Sequence, residues 1–228
     1  FLSHDMRSPQ ASILTLLEMQ REEPELVPVE RLVERIGKYA RRTLNLADDF
    51  LRLATAERAR SQDFVALELN ELMRDAAEEV WSLASAKKIQ VTVGEQTSDA
   101  WVLGDRDLLT RTLINLLSNA IKYSPPETCV SMTLQRDDDK WRLNVSDQGY
   151  GIAAADMSRL FQRFTRLKLE GQPDEDGIGL GLVFVKTVLA RHHGEIEVTS
   201  KTTKGASGTT FSLTLPAVTA PTEWPTPV

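Results

Sequence analysis

Residues 105–124 read DRDLLTRTLINLLSNAIKYS, and this stretch decides the fold. Leu109, Leu113, Leu116, Leu117 and Ala120 recur at steps of one, three and four, which marks one side of a helix as core. Asn115, Asn119 and Lys122 stand at i, i+4 and i+7, so they share a different face. Two carboxamides and an ammonium on one stripe suit a metal–triphosphate. An amide oxygen can complete the shell of Mg²⁺, which otherwise takes water and phosphate oxygens, and a Lys reaches phosphate. Taken alone, the same stripe also reads as a solvated helix face.

Downstream, Asp147-Gln148-Gly149-Tyr150-Gly151-Ile152 closes a strand-like run. Asp147 is an acceptor only, and Gly149 and Gly151 let the backbone approach a ligand; a tight turn is the plainer alternative. Gly177-Ile178-Gly179-Leu180-Gly181-Leu182 leads into a helix. Glycines there leave N–H groups and the helix dipole facing an anion. No strand directly precedes them, so this is not a dinucleotide fingerprint. Gly205-x-x-Gly208-Thr209-Thr210-Phe211 opens the last strand.

Around these motifs the pattern predicts strands at Phe64–Leu69, Ile89–Val93, Val130–Gln135, Trp141–Ser146, Glu195–Thr199 and Thr209–Leu215, and helices at Asn70–Ala86, Asp105–Tyr123 and Leu180–His192. Residues 61–216 are therefore expected to form an α/β sandwich. Residues 152–178 lack periodicity, and a loop of that length in a small domain is expected to be functional. The Pro-rich tail, 217–228, is expected to be disordered.

Upstream, residues 1–60 read as two helices, one from Phe1 to about Arg21 and one from near Pro28 to about Ala59, split at Glu22–Glu25. Leu32, Ile36, Tyr39, Thr43, Leu46, Phe50 and Leu53 give the second helix a continuous stripe. Two helices bury too little surface alone, so a homodimeric four-helix bundle is expected; a hairpin lying on the second domain is the alternative. The fold class is thus α+β: a helical hairpin, then an α/β sandwich.

Composition narrows the function. The 228 residues carry a net charge of −6, all of it after residue 60, and no basic stripe; nucleic acid is not an expected partner. A single cysteine, Cys129, excludes an internal disulfide framework and a Cys-rich metal site. His192 and His193 precede Gly194 at a helix end, where a structural cap is expected. Opening at Phe1 rather than Met, the chain is expected to be part of a longer protein.

In order and spacing, the motifs resemble the ATP-binding domain of sensor histidine kinases, with its Bergerat-type fold. Asn115–Ser124 looks like the N box, Asp147–Ile152 the G1 box, Leu160–Phe164 the F box, Gly177–Leu182 the G2 box and Gly205–Thr210 the G3 region. Ser3-His4-Asp5-Met6-Arg7-Ser8-Pro9 resembles the H box of the same kinases, and residues 1–60 their dimerisation and phosphotransfer domain.

The resemblance implies ATP and Mg²⁺ as cofactors and a phosphoryl relay. His4 accepts the γ-phosphoryl group and passes it to an aspartate of a response regulator receiver domain. Only His has an unperturbed pKa that leaves a neutral ring nitrogen near neutral pH, and Asp5 can hold the other ring N–H. Pro9 crowds the Asp5 carbonyl, so a kink is expected there. Ser8, four residues after His4, is the candidate for orienting water in a regulator phosphatase reaction. Asn119 is implied as the Mg²⁺ ligand, with Asn115 in support. Lys122 is implied at phosphate, Tyr123 by the nucleotide, Asp147 at the adenine amino group and Thr209 on the base side. Gly149, Gly151, Gly177, Gly179, Leu180 and Gly181 complete the nucleotide cradle. Arg163 and Arg166 are candidates for the γ-phosphate, in a lid that Phe161 and Phe164 pack down. This part of the protein is expected in the cytoplasm, with any inner-membrane anchor lying upstream. A degenerate kinase that only binds ATP or a regulator, and another Bergerat-fold ATPase, are the alternatives.

Overall fold

Helix α1 runs from Leu2 to Glu22 and α2 from Val29 to Arg58. The computed structural model describes residues 2–25, 28–94, 99–165, 179–203 and 206–220, with side chains from Ser8 onward. The Leu32 N–H bonds the Pro28 carbonyl at 3.0 Å, so Pro28 opens α2 without needing a donor of its own. Pro9 is buried inside α1, which continues as a helix through it. Leu16, Leu32 and Leu46 are buried, while Leu14, Leu17, Val33, Leu44 and Leu51 stay exposed. That leaves more apolar surface on these helices than their own residues cover.

The chain divides into two compact units, one built on Phe1–Arg52 and the other on Leu53–Glu175 and Gly179–Val228. The division falls within α2, because Ala56 is fully buried in the core of the second unit and Ala59 packs against it.

The second unit follows a 3₁₀ turn at Ser61–Asp63 with β1 (Val65–Glu68), α3 (Leu69–Glu79), α4 (Trp81–Ala86), β2 (Gln90–Val93) and β3 (Trp101–Gly104). Then come α5 (Arg106–Lys122), β4 (Cys129–Asp137), β5 (Lys140–Asp147), a 3₁₀ helix at Ala154–Arg159, α6 (Gly181–Arg191), β6 (Glu195–Lys201) and β7 (Gly208–Pro216). Five strands form a mixed sheet in the order β2-β4-β5-β7-β6, parallel at β2–β4 and antiparallel elsewhere. β1 and β3 pair separately as an antiparallel ribbon. One apolar core joins the inner residues of the sheet (Val130, Met132, Leu143, Val145, Leu213) to α3, α5 and α6 (Leu72, Leu116, Leu117, Val185, Val188). This helix-and-sheet architecture is the α+β class expected.

Two expectations need correction. The single helix read at Asn70–Ala86 is two, separated at Val80, whose φ of −90° and ψ of 0° lie just outside the helical well. Ala76, Val80 and Ala84 remain buried on one face across the break, so the apolar period does not register it. Strand β3 was absent from the sequence reading: Trp101-Val102-Leu103 is a three-residue apolar run with no alternation. At the other end, the Ala217 N–H bonds Asp139 O and the Val218 N–H bonds Trp101 O, so the start of the Pro-rich tail is held; residues 221–228 lie outside those described.

Candidate nucleotide site

Helix α5 is fixed at both ends. Asp105 is its N-cap, with the carboxylate accepting from the Leu108 N–H at 3.0 Å. At the other end the Lys87 ammonium donates to the Ile121 and Lys122 carbonyls at 3.3 and 2.7 Å. A cation at a helix C-terminus is favourable for the dipole as well. Held this way, α5 buries Leu109, Leu113, Leu116, Leu117 and Ala120 and leaves Asn115, Asn119 and Lys122 half-buried on the adjoining face. Among the described residues, no protein group bonds the side-chain amides of Asn115 or Asn119.

The N-terminus of α6 lies against this face. A Cβ at Gly181 would stand 3.2 Å from Asn115 Oδ1. Leu180, buried at the N-cap position, supplies no side-chain cap, so the first N–H groups of α6 keep their bonding capacity. Gly179 has φ +77°, and a Cβ there would press on the Thr165 carbonyl. The Phe164 N–H bonds Gly179 O at 3.1 Å, which ties the F-box segment to the glycine turn.

Asp147 ends β5. Its Oδ1 accepts the Gly149 N–H at 2.8 Å and the Thr209 N–H at 3.1 Å. Its Oδ2 has no partner among the described residues. Burial raises the carboxyl pKa above the usual Asp range, and the two N–H donors pull it partly back. Gly149 packs so closely on α5 that a Cβ would sit 2.5 Å from the Tyr123 carbonyl. The Tyr150 N–H bonds that same carbonyl at 3.3 Å, so Tyr123 closes α5 and seats the G1 segment together. Gly151 backs onto the Lys201 carbonyl. The carboxylate, the α5 amides and the uncapped helix start thus belong to one packed group of elements: β5, α5, α6 and the start of β7.

The remaining sequence candidates fall differently. Arg163 pairs with Glu57 at 2.8 Å, and both are about half exposed. Phe161 and Phe164 are half-buried, with Lys186 over the Phe161 ring. Arg166 and Gly177 lie outside the described residues, as do the side chains of His4 and Asp5; Ser8 is exposed on α1. Three groups were missed by the sequence reading: Lys87 under α5, Gln148, whose Oε1 accepts the Cys129 N–H at 2.9 Å, and Ser200, whose hydroxyl accepts the Ile152 N–H at 2.8 Å. Lys87 and Ser200 are ordinary polar residues outside every motif, and Gln148 lies inside the Asp147–Ile152 motif but its bond to the Cys129 N–H is made across the sheet and leaves no local signal.

A model of the histidine kinase-, DNA gyrase B- and HSP90-like ATPases matches residues 104–219, just over half of the chain. The chain belongs to that family. Within it, the sensor histidine kinases share its sequence along nearly the whole length. It is 31% identical over 219 residues to the sensor-like histidine kinase SenX3 of Mycolicibacterium smegmatis, across 94% of this chain and 56% of that protein. The chain spans about half the length of the curated relatives it matches. The solved mycobacterial sensor histidine kinase MprB matches at 31% identity with a TM-score of 0.58, over 69% of this chain and 99% of its own. Histidine kinase ThkA, solved in complex with response regulator protein TrrA, has a TM-score of 0.74 over 95% of this chain and 60% of its own. At 20% identity that match establishes a shared fold. The sensor-histidine-kinase resemblance read from the motifs is therefore borne out, and the second unit carries a family ATP-binding domain. Among the described residues, no helix is long and apolar enough to cross a membrane, and no three His, Cys, Asp or Glu side chains converge as a metal cluster.

Proposed function

We propose that the chain is the catalytic and phosphotransfer part of an ATP-dependent protein-histidine kinase, with residues 1–60 as the dimeric phosphotransfer hairpin and 61–216 as the ATP-binding domain. The observation that carries this reading is Asp147: one carboxylate oxygen saturated by two backbone N–H groups, the other without a partner among the described residues. An acceptor-only group so held fits the adenine amino group and disfavours guanine, which carries an oxygen there. The fit extends to phosphate. The α6 start is uncapped and glycine-lined, which suits an anion. Mg²⁺ fits Asn119, whose amide oxygen would join phosphate and water oxygens around it, with Asn115 adjacent. The ion, when bound, neutralises phosphate charge.

His4 is the acceptor. One neutral ring nitrogen attacks the γ-phosphorus, the bond to the bridging oxygen breaks, and ADP leaves. The proton on the other ring nitrogen passes to Asp5. The phosphoryl group then moves to an aspartate of a receiver domain. In the separate phosphatase reaction, Ser8 positions the water that attacks the regulator's phosphoaspartate and releases inorganic phosphate and free aspartate. Arg163 reaches phosphate only on leaving Glu57, and such an exposed pair costs less than about 1 kcal/mol to break.

The test is incubation with Mg²⁺ and γ-labelled ATP. The expected label survives alkali, is lost in acid and is absent from His4→Gln. Alkali-labile label, or label retained in His4→Gln, would contradict the kinase reading.

A further inference from the structure

Ser200 lies near the end of β6, in register with Thr209 of β7. Its hydroxyl meets three groups: the Ile152 N–H at 2.8 Å, the Gly208 carbonyl at 2.9 Å and Thr209 Oγ1 at 2.8 Å. A hydroxyl has one proton and two lone pairs. The Gly208 carbonyl only accepts, so the Ser200 proton goes there. The Ile152 N–H only donates and fills one lone pair. The second lone pair faces Thr209, so the Thr209 proton points at Ser200. Thr209 Oγ1 is left with acceptor lone pairs alone. Thr209 is itself buried and its N–H is bonded to Asp147 Oδ1, so the residue that carries this acceptor is anchored directly to the Asp147 carboxylate, whose Oδ2 has no partner among the described residues.

We propose that Ser200 is a specificity-positioning residue: by taking the Thr209 proton it makes Thr209 and Asp147 a pair of acceptors, which selects a purine with a 6-amino group over one with a 6-oxo group. This rests on the reading of Asp147 as the base acceptor. Without Ser200 the Thr209 hydroxyl is free to rotate and donate to an oxo group, and part of the discrimination is lost.

The test is calorimetric titration of the whole chain with ATP and with ITP, which carries an oxo group in place of the amino group. The unsubstituted chain is expected to favour ATP. Ser200→Ala should narrow that preference about three- to tenfold, the net worth of one neutral hydrogen bond. Ser200→Thr, which keeps the hydroxyl, should preserve it. In a Thr209→Val background, Ser200→Ala should leave the ratio unchanged. Should Ser200→Ala fail to fold, Ser200→Cys, a weak donor, replaces it with the same expected narrowing. The proposal is overturned if Ser200→Ala weakens both nucleotides equally, or shifts the ratio as much in the Thr209→Val background. Equal affinity for ATP and ITP in the unsubstituted chain would instead remove the reading of Asp147, and this proposal with it.

Discussion

Asp105 and His192 are 87 residues apart in sequence and share one hydrogen bond: the Asp105 N–H donates to His192 Nε2 at 3.0 Å. That fixes the tautomer, because His192 Nδ1 must then carry the proton it gives to the Val188 carbonyl at 2.7 Å. The ring is buried and stacks on Phe64 with centroids 4.2 Å apart. One neutral imidazole thereby joins the start of α5 to the end of α6, the two helices whose other ends carry the proposed nucleotide site.

Burial lowers the His192 pKa, and the neighbouring His193 adds to this against the opposing pull of Val188 and Asp105. The unfolded chain therefore takes up a proton before the folded one as pH falls below the ordinary His value of about 6.5. Stability contributed by neutral His192 is full above that value and lost progressively below it. Urea unfolding at pH 7.5, 6.5 and 5.5 should show a falling midpoint, and His192→Gln should flatten that dependence. His192→Ala should cost roughly 3 kcal/mol at pH 7.5, for the lost packing and two hydrogen bonds.

Asp147 should trade stability for binding. Its raised pKa means that ionisation opposes folding of the nucleotide-free chain, so Asp147→Asn should raise the unfolding midpoint at pH 7. The same substitution puts an amide donor where the adenine amino group needs an acceptor, and ATP affinity should drop about 10- to 100-fold. Denaturation and nucleotide titration on one preparation check both signs. Lower stability with unchanged affinity would mean that Asp147 is a structural turn residue.

Two glycines should respond oppositely to alanine. At Gly149 a Cβ would meet the Tyr123 carbonyl and Asp147 Oδ1 at 2.5 and 2.8 Å, so Gly149→Ala should cost about 1–3 kcal/mol and weaken nucleotide binding. Gly37 is inside α2, where the nearest atoms a Cβ would meet are those of the Arg41 side chain, at ordinary contact from 3.5 Å. Gly37→Ala should stabilise by up to about 1 kcal/mol through helix propensity, with ATP affinity unchanged. Thermal midpoints read against nucleotide titration separate the two.

Lys87 holds the last carbonyls of the helix that carries Asn119 and Lys122. Lys87→Met keeps most of the stem and removes the charge-assisted bonds. It should cost about 1–2 kcal/mol and weaken Mg²⁺-ATP more than it weakens adenosine, because the disturbed turn carries the groups proposed for phosphate and Mg²⁺. Equal losses for both ligands would count against that division of the site.

The extent to which this molecule could be read from its sequence varied by element. Helix α5 was legible down to its caps, since Asp105, the leucine spacing and Tyr123 are all local signals. Gly179 was legible as a glycine at a helix start, and its φ of +77° is a conformation that favours glycine. Strand β3 was not, since Trp101–Gly104 becomes a strand only by pairing with β1, a tertiary fact. Nor was the role of Ser200 visible: a serine in an alternating strand looks like surface until β7 and the Ile152 turn are folded against it. Arg163 was a candidate for the γ-phosphate in sequence, while its observed partner, Glu57, lies 106 residues away.

The most direct test of the account is to locate the phosphoryl group. The chain would be incubated with Mg²⁺-ATP, digested without acid and mapped by tandem mass spectrometry, with His4→Gln and Asn119→Ala treated alongside. The account predicts modification at His4 and at no other residue, with none in either variant. Phosphate on a serine or threonine, or on His4 in undiminished amount in Asn119→Ala, would contradict it.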